Sequence, residues 1–128
     1  MNVQVLHANN PPSLIANLGS DWNVDGAGDF SGNGTSDILI HRDTGATRTF
    51  EILPINNNQL NGNPTVVAVL PNTFKLDGIG DFNHDGTSDI AMHQDIGATR
   101  NDWIFTVVNN VVTNAHIVAT TGVDWHVA

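Results

Sequence analysis

The chain has 128 residues, enough for one domain with a core of its own. Four basic residues stand against thirteen acidic ones, a formal charge of −9 with a pI near 4.6, which argues against a nucleic-acid backbone or an anionic membrane surface as partner. The chain contains no cysteine, which excludes disulfides and thiolate zinc sites.

Val, Ile, Thr, Asn and Gly dominate, helical periodicity is nearly absent, and short β runs are bounded by turn residues. Taken in chain order, residues 3–6 and 14–18 read as two strands. Four more follow at 22–27, 37–41, 47–53 and 65–70. The first link among these four is a polar loop at 29–36, the second a tight Asp43-Thr44-Gly45 turn, and the third an Asn-rich piece at 56–63. The same series then recurs at 74–79, 89–93, 99–108 and 115–120, with the second turn at Asp95-Ile96-Gly97 and the third at Asn109-Asn110. Residues 124–128 begin a further first strand. Short links let each strand pair antiparallel with the next, giving a four-stranded meander per unit.

The recurrence is explicit in the residues. DGAGDFSGNGTSDILIHRDTGATR at 25–48 is followed by DGIGDFNHDGTSDIAMHQDIGATR at 77–100, a constant offset of 52 residues without a gap. Leu14-Ile15-Ala16 likewise recurs as Val66-Val67-Ala68 and as Ile117-Val118-Ala119. The repeat divides the chain into a partial unit at 1–20, full units at 21–72 and 73–123, and the first strand of the partial unit at 124–128. Four-stranded units at this period are the sequence mark of β-propeller blades, and the fold expected is an all-β array of two full blades and a split partial one.

Each polar loop offers oxygen ligands at alternate positions around a glycine. In the second, Asp81, Asn83, Asp85, the Thr87 carbonyl and Asp89 are so placed around Gly86. In the first, Asp29, Ser31, Asn33, the Thr35 carbonyl and Asp37 surround Gly34. Hard oxygens at that spacing suit calcium better than magnesium, which demands a strict octahedron and keeps its waters. The alternative is a metal-free loop in which Asp and Asn cap backbone amides. Three carboxylates in the second loop against two in the first predict tighter binding by the second.

At GDFNHDGTSDI the chain resembles the FG-GAP/VCBS-type repeat proteins, and the likeness extends to the repeat edges, DWNVDGAGDF and DWHVA. The resemblance implies β-propeller blades with calcium in the loop between strands one and two, as in integrin α-chain heads. It also implies an extracellular or cell-surface protein that adheres to, or recognises, glycans and proteins. The chain departs from the family pattern at Ser31 and Asn33, and at His41 and His93, where an apolar residue is usual.

A second repeated constellation is His41, Asp43 and Arg48, copied as His93, Asp95 and Arg100. Turn geometry and an Arg–Asp pair across the hairpin account for most of it. Planar Arg beside a carboxylate also suits a shallow sugar site, so these six are candidate ligand residues. Trp22, Phe74 and Trp125 recur at one position and read as wedges between units, whereas Trp103, whose counterpart is Glu51, reads as a surface aromatic.

The leading expectation is a non-enzymatic calcium-binding propeller module for adhesion or carbohydrate recognition. The alternatives are a purely structural repeat of a larger secreted protein, or a glycan hydrolase or lyase on the same scaffold. No signal-peptide pattern and no membrane-length apolar run is visible. Unpartnered terminal strands predict a homo-oligomer, a dimer in preference to a trimer, completing one ring.

Overall fold

A computed structural model of the chain describes residues 2–5 and 13–122. All regular structure among them is β, and no helix is long and apolar enough to cross a membrane. β1 (Asn2–Val5) and β2 (Ser13–Asn17) form an antiparallel pair. β3 (Trp22–Gly28), β4 (Asp37–Thr44), β5 (Thr47–Leu53) and β8 (Thr65–Pro71) form a four-stranded meander. β9 (Phe74–Gly80), β10 (Asp89–Ile96), β11 (Thr99–Val108) and β12 (Val111–Gly122) form a second. Among the described residues no sheet closes on itself. The Asn-rich link of the first unit carries a two-residue ladder of its own, β6 (Ile55–Asn56) with β7 (Gln59–Leu60).

The predicted strands are present, and the second and fourth of each unit run longer than their apolar residues indicate. β4 continues through Asp43 and Thr44 because these pair with Arg48 and Thr47 across a turn that needs only Gly45 and Ala46. Gly45 supplies the left-handed φ of 61° that the turn requires. The strand expected at 124–128 lies outside the described residues.

The first and second meanders stack face to face. Their shared core holds Phe30, Leu39, Phe50 and Ile52 from one and Phe74, Ile90, Met92, Phe105 and Val107 from the other. A smaller cluster joins β1 and β2 to the opposite face of the first meander through Val3 and Ile15 against Ile40, Leu53 and Ile55. Alternation along β4 sends Leu39 one way and Ile40 the other, so this meander is apolar on both faces and lies in the middle of the stack. Phe74 is the wedge expected at its position. Trp103, by contrast, is no surface aromatic: its ring packs on Phe74 and Phe105, 5.8 and 6.1 Å between centroids, at the edge of the shared core. Trp22 is half-buried, with the Arg42 guanidinium 4.8 Å over its ring.

Candidate metal centre and the polar face between the sheets

The two polar loops join strands one and two of each meander and lie side by side. The backbone amide of Asp29 donates to Ser88 Oγ at 3.0 Å, and the Ser88 amide returns a bond to the Asp29 carbonyl at 2.8 Å. The end of the second loop is therefore fastened to the start of the first.

Within the second loop the carboxylates of Asp81, Asp85 and Asp89 bring oxygens within 4.8 Å of one another. Gly86 takes φ 87° and His84 φ 59°, where the first loop has Gly34 at 85° and Gly32 at 76°. Asp89 is fully buried and fastens the loop: Oδ2 accepts from the Phe82 amide at 3.2 Å and Oδ1 from the Val107 amide at 3.0 Å. Asp37 does the same in the first loop for Phe30 and Ile55. Each carboxylate oxygen carries two lone pairs, so one N–H bond leaves capacity for a cation. The Thr87 hydroxyl links Asp85 Oδ1, 2.9 Å away, to the Val107 carbonyl at 2.7 Å, and Thr35 bridges Asn33 and Ile55 in the same way. Sequence spacing selects these threonines for their carbonyls; their hydroxyls turn out to organise the loop as well.

The loops differ in how far they satisfy themselves. Asp29 accepts three backbone amides, from Gly32, Asn33 and Gly34. Asp81 accepts two, from Asp85 and Gly86. The second loop could hold a metal ion, with three carboxylates converging on an exposed, glycine-bent turn. In the first, Asn33 replaces a carboxylate and Asp29 is more fully used by backbone. Bonds from the Thr87 amide and hydroxyl hold the Asp85 carboxyl below its ordinary range, whereas burial raises that of Asp89.

The other repeated residues divide into two groups. His41 and His93 turn toward Asp25 and Asp77, with Nδ1 to carboxylate distances of 2.7 Å in both copies. Both aspartates are the extra residue of a β-bulge: Val24 pairs with Ile40 and Gly26 with Leu39, leaving Asp25 between them, and Asp77 is placed alike. The bulge re-aims the side chain onto the histidine of the neighbouring strand. Sequence reasoning missed these aspartates because regular alternation does not bring them there. Their signal was the leading Asp of DGAGDF and DGIGDF, sixteen residues before the histidine in both copies. The proton is assigned to Nδ1, since Nε2 of His41 meets the Asn23 amide nitrogen at 3.4 Å.

Asp43 and Arg48 form a forked pair at 2.7 and 2.9 Å, and Arg48 Nη1 also donates to the Phe74 carbonyl of the second sheet at 3.0 Å. Asp95 and Arg100 repeat the pairing at 3.0 and 3.4 Å. Asp43, Arg48 and Asp95 come together with Asn72, Thr73 and Lys75 around a shallow depression of about 400 Å³ between the sheets. His41, His93 and the buried Arg100 do not line it.

Burial, partly offset by His41, raises the Asp25 carboxyl, and the Arg48 hydrogen bond lowers that of Asp43. A carboxyl-detected NMR titration is expected to show the Asp25 midpoint above, and the Asp43 midpoint below, the ordinary aspartate value. The linked effects on stability have opposite signs: the Asp25 contribution fades as pH rises through its folded value, that of Asp43 as pH falls through its own. Midpoints in the reverse order would contradict the burial of one group or the pairing of the other.

No protein-family model matches the chain, and no curated protein or solved structure does.

Proposed function

We propose that the chain is a calcium-binding module of propeller-type blades that recognises glycans or cell-surface proteins outside the cell. The observation that carries this reading is the duplicated loop, with Asp81, Asp85 and Asp89 converging in the second copy. A cation there would offset the repulsion among the three carboxylates and stiffen the end of the stack where the loops meet. The depression lined by Asp43, Arg48, Lys75 and Asp95 offers hydrogen-bond donors and acceptors, the chemistry that suits sugar hydroxyls.

Calorimetry on metal-stripped protein is expected to show calcium binding, tighter at the second loop than at the first. Calcium at ~100 times its dissociation constant should add roughly 2.7 kcal/mol of stability per occupied site. A flat titration with no thermal shift would remove calcium from the reading. In a glycan-array screen, Arg48→Ala combined with Arg100→Ala should weaken binding while leaving calcium affinity intact.

A purely structural role for the repeat is favoured by one observation: Arg48 already spans the two sheets through Asp43 and the Phe74 carbonyl. Under that reading the double arginine variant loses stability and the wild-type protein captures no glycan.

A further inference from the structure

The chain contains two Asn-Gly pairs, Asn33-Gly34 in the first polar loop and Asn61-Gly62 in the link after β7. In such a pair the glycine nitrogen can attack the side-chain amide carbon of the asparagine, because no Cβ on the glycine obstructs the approach. Asn33 is exposed, and a Cβ added to Gly34 would meet nothing within 4 Å. The attacking group is already engaged: the Gly34 amide donates its hydrogen to Asp29 Oδ2 at 3.0 Å. A carboxylate within hydrogen-bond reach is placed to take that proton. The carbonyl under attack is engaged too, since Asn33 Oδ1 accepts from the Thr35 amide at 2.9 Å and from the Thr35 hydroxyl at 2.8 Å. Donors aimed at an oxygen that becomes anionic stabilise the tetrahedral intermediate.

The other pair lacks these contacts. Asn61 is exposed as well, but among the described residues no side chain accepts the Gly62 amide or donates to the Asn61 side chain. The second loop, in turn, shows what a carboxylate at position 33 would look like. Asp85 stands one repeat after Asn33, and its Oδ1 accepts from the Thr87 amide at 3.0 Å and the Thr87 hydroxyl at 2.9 Å. These are the same two bonds that Asn33 receives from Thr35, so a carboxylate fits this loop without rebuilding it.

We propose that Asn33 is a self-modifying site, whose side-chain amide the loop converts to a carboxylate beside Asp29 and Asp37. The Gly34 nitrogen bonds to Asn33 Cγ as Asp29 removes its proton. The bond from Cγ to the amide nitrogen breaks, and that nitrogen leaves as ammonia with the proton, so a cyclic imide remains. Water then opens the imide. Cleavage of the new bond to Cγ gives aspartate in the ordinary chain; cleavage of the old peptide bond gives the β-linked isomer, with a main chain one methylene longer. The net change is asparagine and water to aspartate and ammonia, with no redox step. The ordinary isomer gives the first loop the carboxylate count of the second. What that charge does for calcium rests on the function proposed above, whereas the conversion itself does not.

The test ages the intact protein at neutral pH and body temperature in oxygen-labelled water, with chelator so that no cation occupies either loop. Peptide mapping by mass spectrometry follows Asn33 and Asn61 in the same sample, and electron-transfer fragmentation separates the two isomers. Asn33 should convert several-fold faster than Asn61, with label in the new carboxylate. In the urea-unfolded chain, where neither pair keeps its surroundings, the two rates should come together. Thr35→Val deletes the hydroxyl bond and keeps the amide one, so it should slow Asn33 and leave Asn61 unchanged, with circular dichroism checking the fold. Equal rates in the folded protein, a ratio unchanged by urea, or an Asn33 rate indifferent to Thr35→Val would each overturn the proposal. Calcium calorimetry on the aged ordinary isomer should show affinity at the first loop raised at least about tenfold. A converted loop that gains no affinity would count against the calcium reading and leave the conversion standing.

Discussion

Asp89→Ala is expected to destabilise the protein by about 2–5 kcal/mol in the absence of calcium, through two orphaned backbone amides. The side chain is fully buried and accepts from Phe82 and Val107, so its removal strands both N–H groups where water has poor access. Asp37→Ala should behave alike in the first loop, where Phe30 and Ile55 lose their acceptor. Asp85→Asn forms the contrast. That side chain is exposed, and an amide oxygen can still accept from Thr87, so metal-free stability should move by less than about 0.5 kcal/mol. Its calcium affinity should nonetheless fall at least about tenfold, because ligand charge sets affinity in such loops. Urea denaturation in chelator, paired with calcium calorimetry, reads the two effects apart. Equal urea midpoints for Asp89→Ala and wild type would show that Asp89 does not anchor the loop.

The second large effect is expected at Gly28. An added Cβ would lie 2.7 Å from Ile79 Cγ2, 2.8 Å from Ser88 Oγ and 2.9 Å from Ser88 Cβ. Neither neighbour can swing clear, since Ile79 packs against the shared core and Ser88 holds the Asp29 backbone. Gly28→Ala should therefore force the two meanders apart and cost about 1–3 kcal/mol or more, the usual range for overpacking. Gly80, its counterpart one repeat later, would bring a Cβ only to ordinary contact with the Phe82 ring at 3.4 Å. Gly80→Ala should lie within about 1 kcal/mol of wild type. Thermal melts of the two variants, run side by side without metal, suffice to compare them. Similar losses at both positions would mean that close packing against the second meander is not what requires glycine at 28.

The contrast between these glycines marks what one sequence can reveal. Gly28 and Gly80 are the same residue in the same motif, and nothing local separates them. Strand content, antiparallel order and the tight turns were legible because alternation and the turn glycines Gly45 and Gly97 act over a few neighbouring residues, and the 52-residue offset presents the same pattern twice. The convergence of Asp81, Asp85 and Asp89 was legible in the same way, since a loop of nine residues brings its own side chains together.

Four features depended on long-range packing. The bulges at Asp25 and Asp77 break the alternation and aim a carboxylate at a histidine sixteen residues away. Trp103 looked unique in sequence and so belonged to the surface, yet the Phe74 ring of β9 draws it to the core edge. Arg48 reaches the Phe74 carbonyl only because the meanders stack. Phe30 and Phe82, identical in motif, end at 0% and 50% exposure because one has a sheet above it. The sequence by itself determined the repeating unit, its strands and the spacing of the polar residues in its loops, all set by short-range sterics and side-chain chemistry. Only the tertiary structure decided which copy of each residue is covered, because burial depends on what packs against a face and the repeat makes every face look alike.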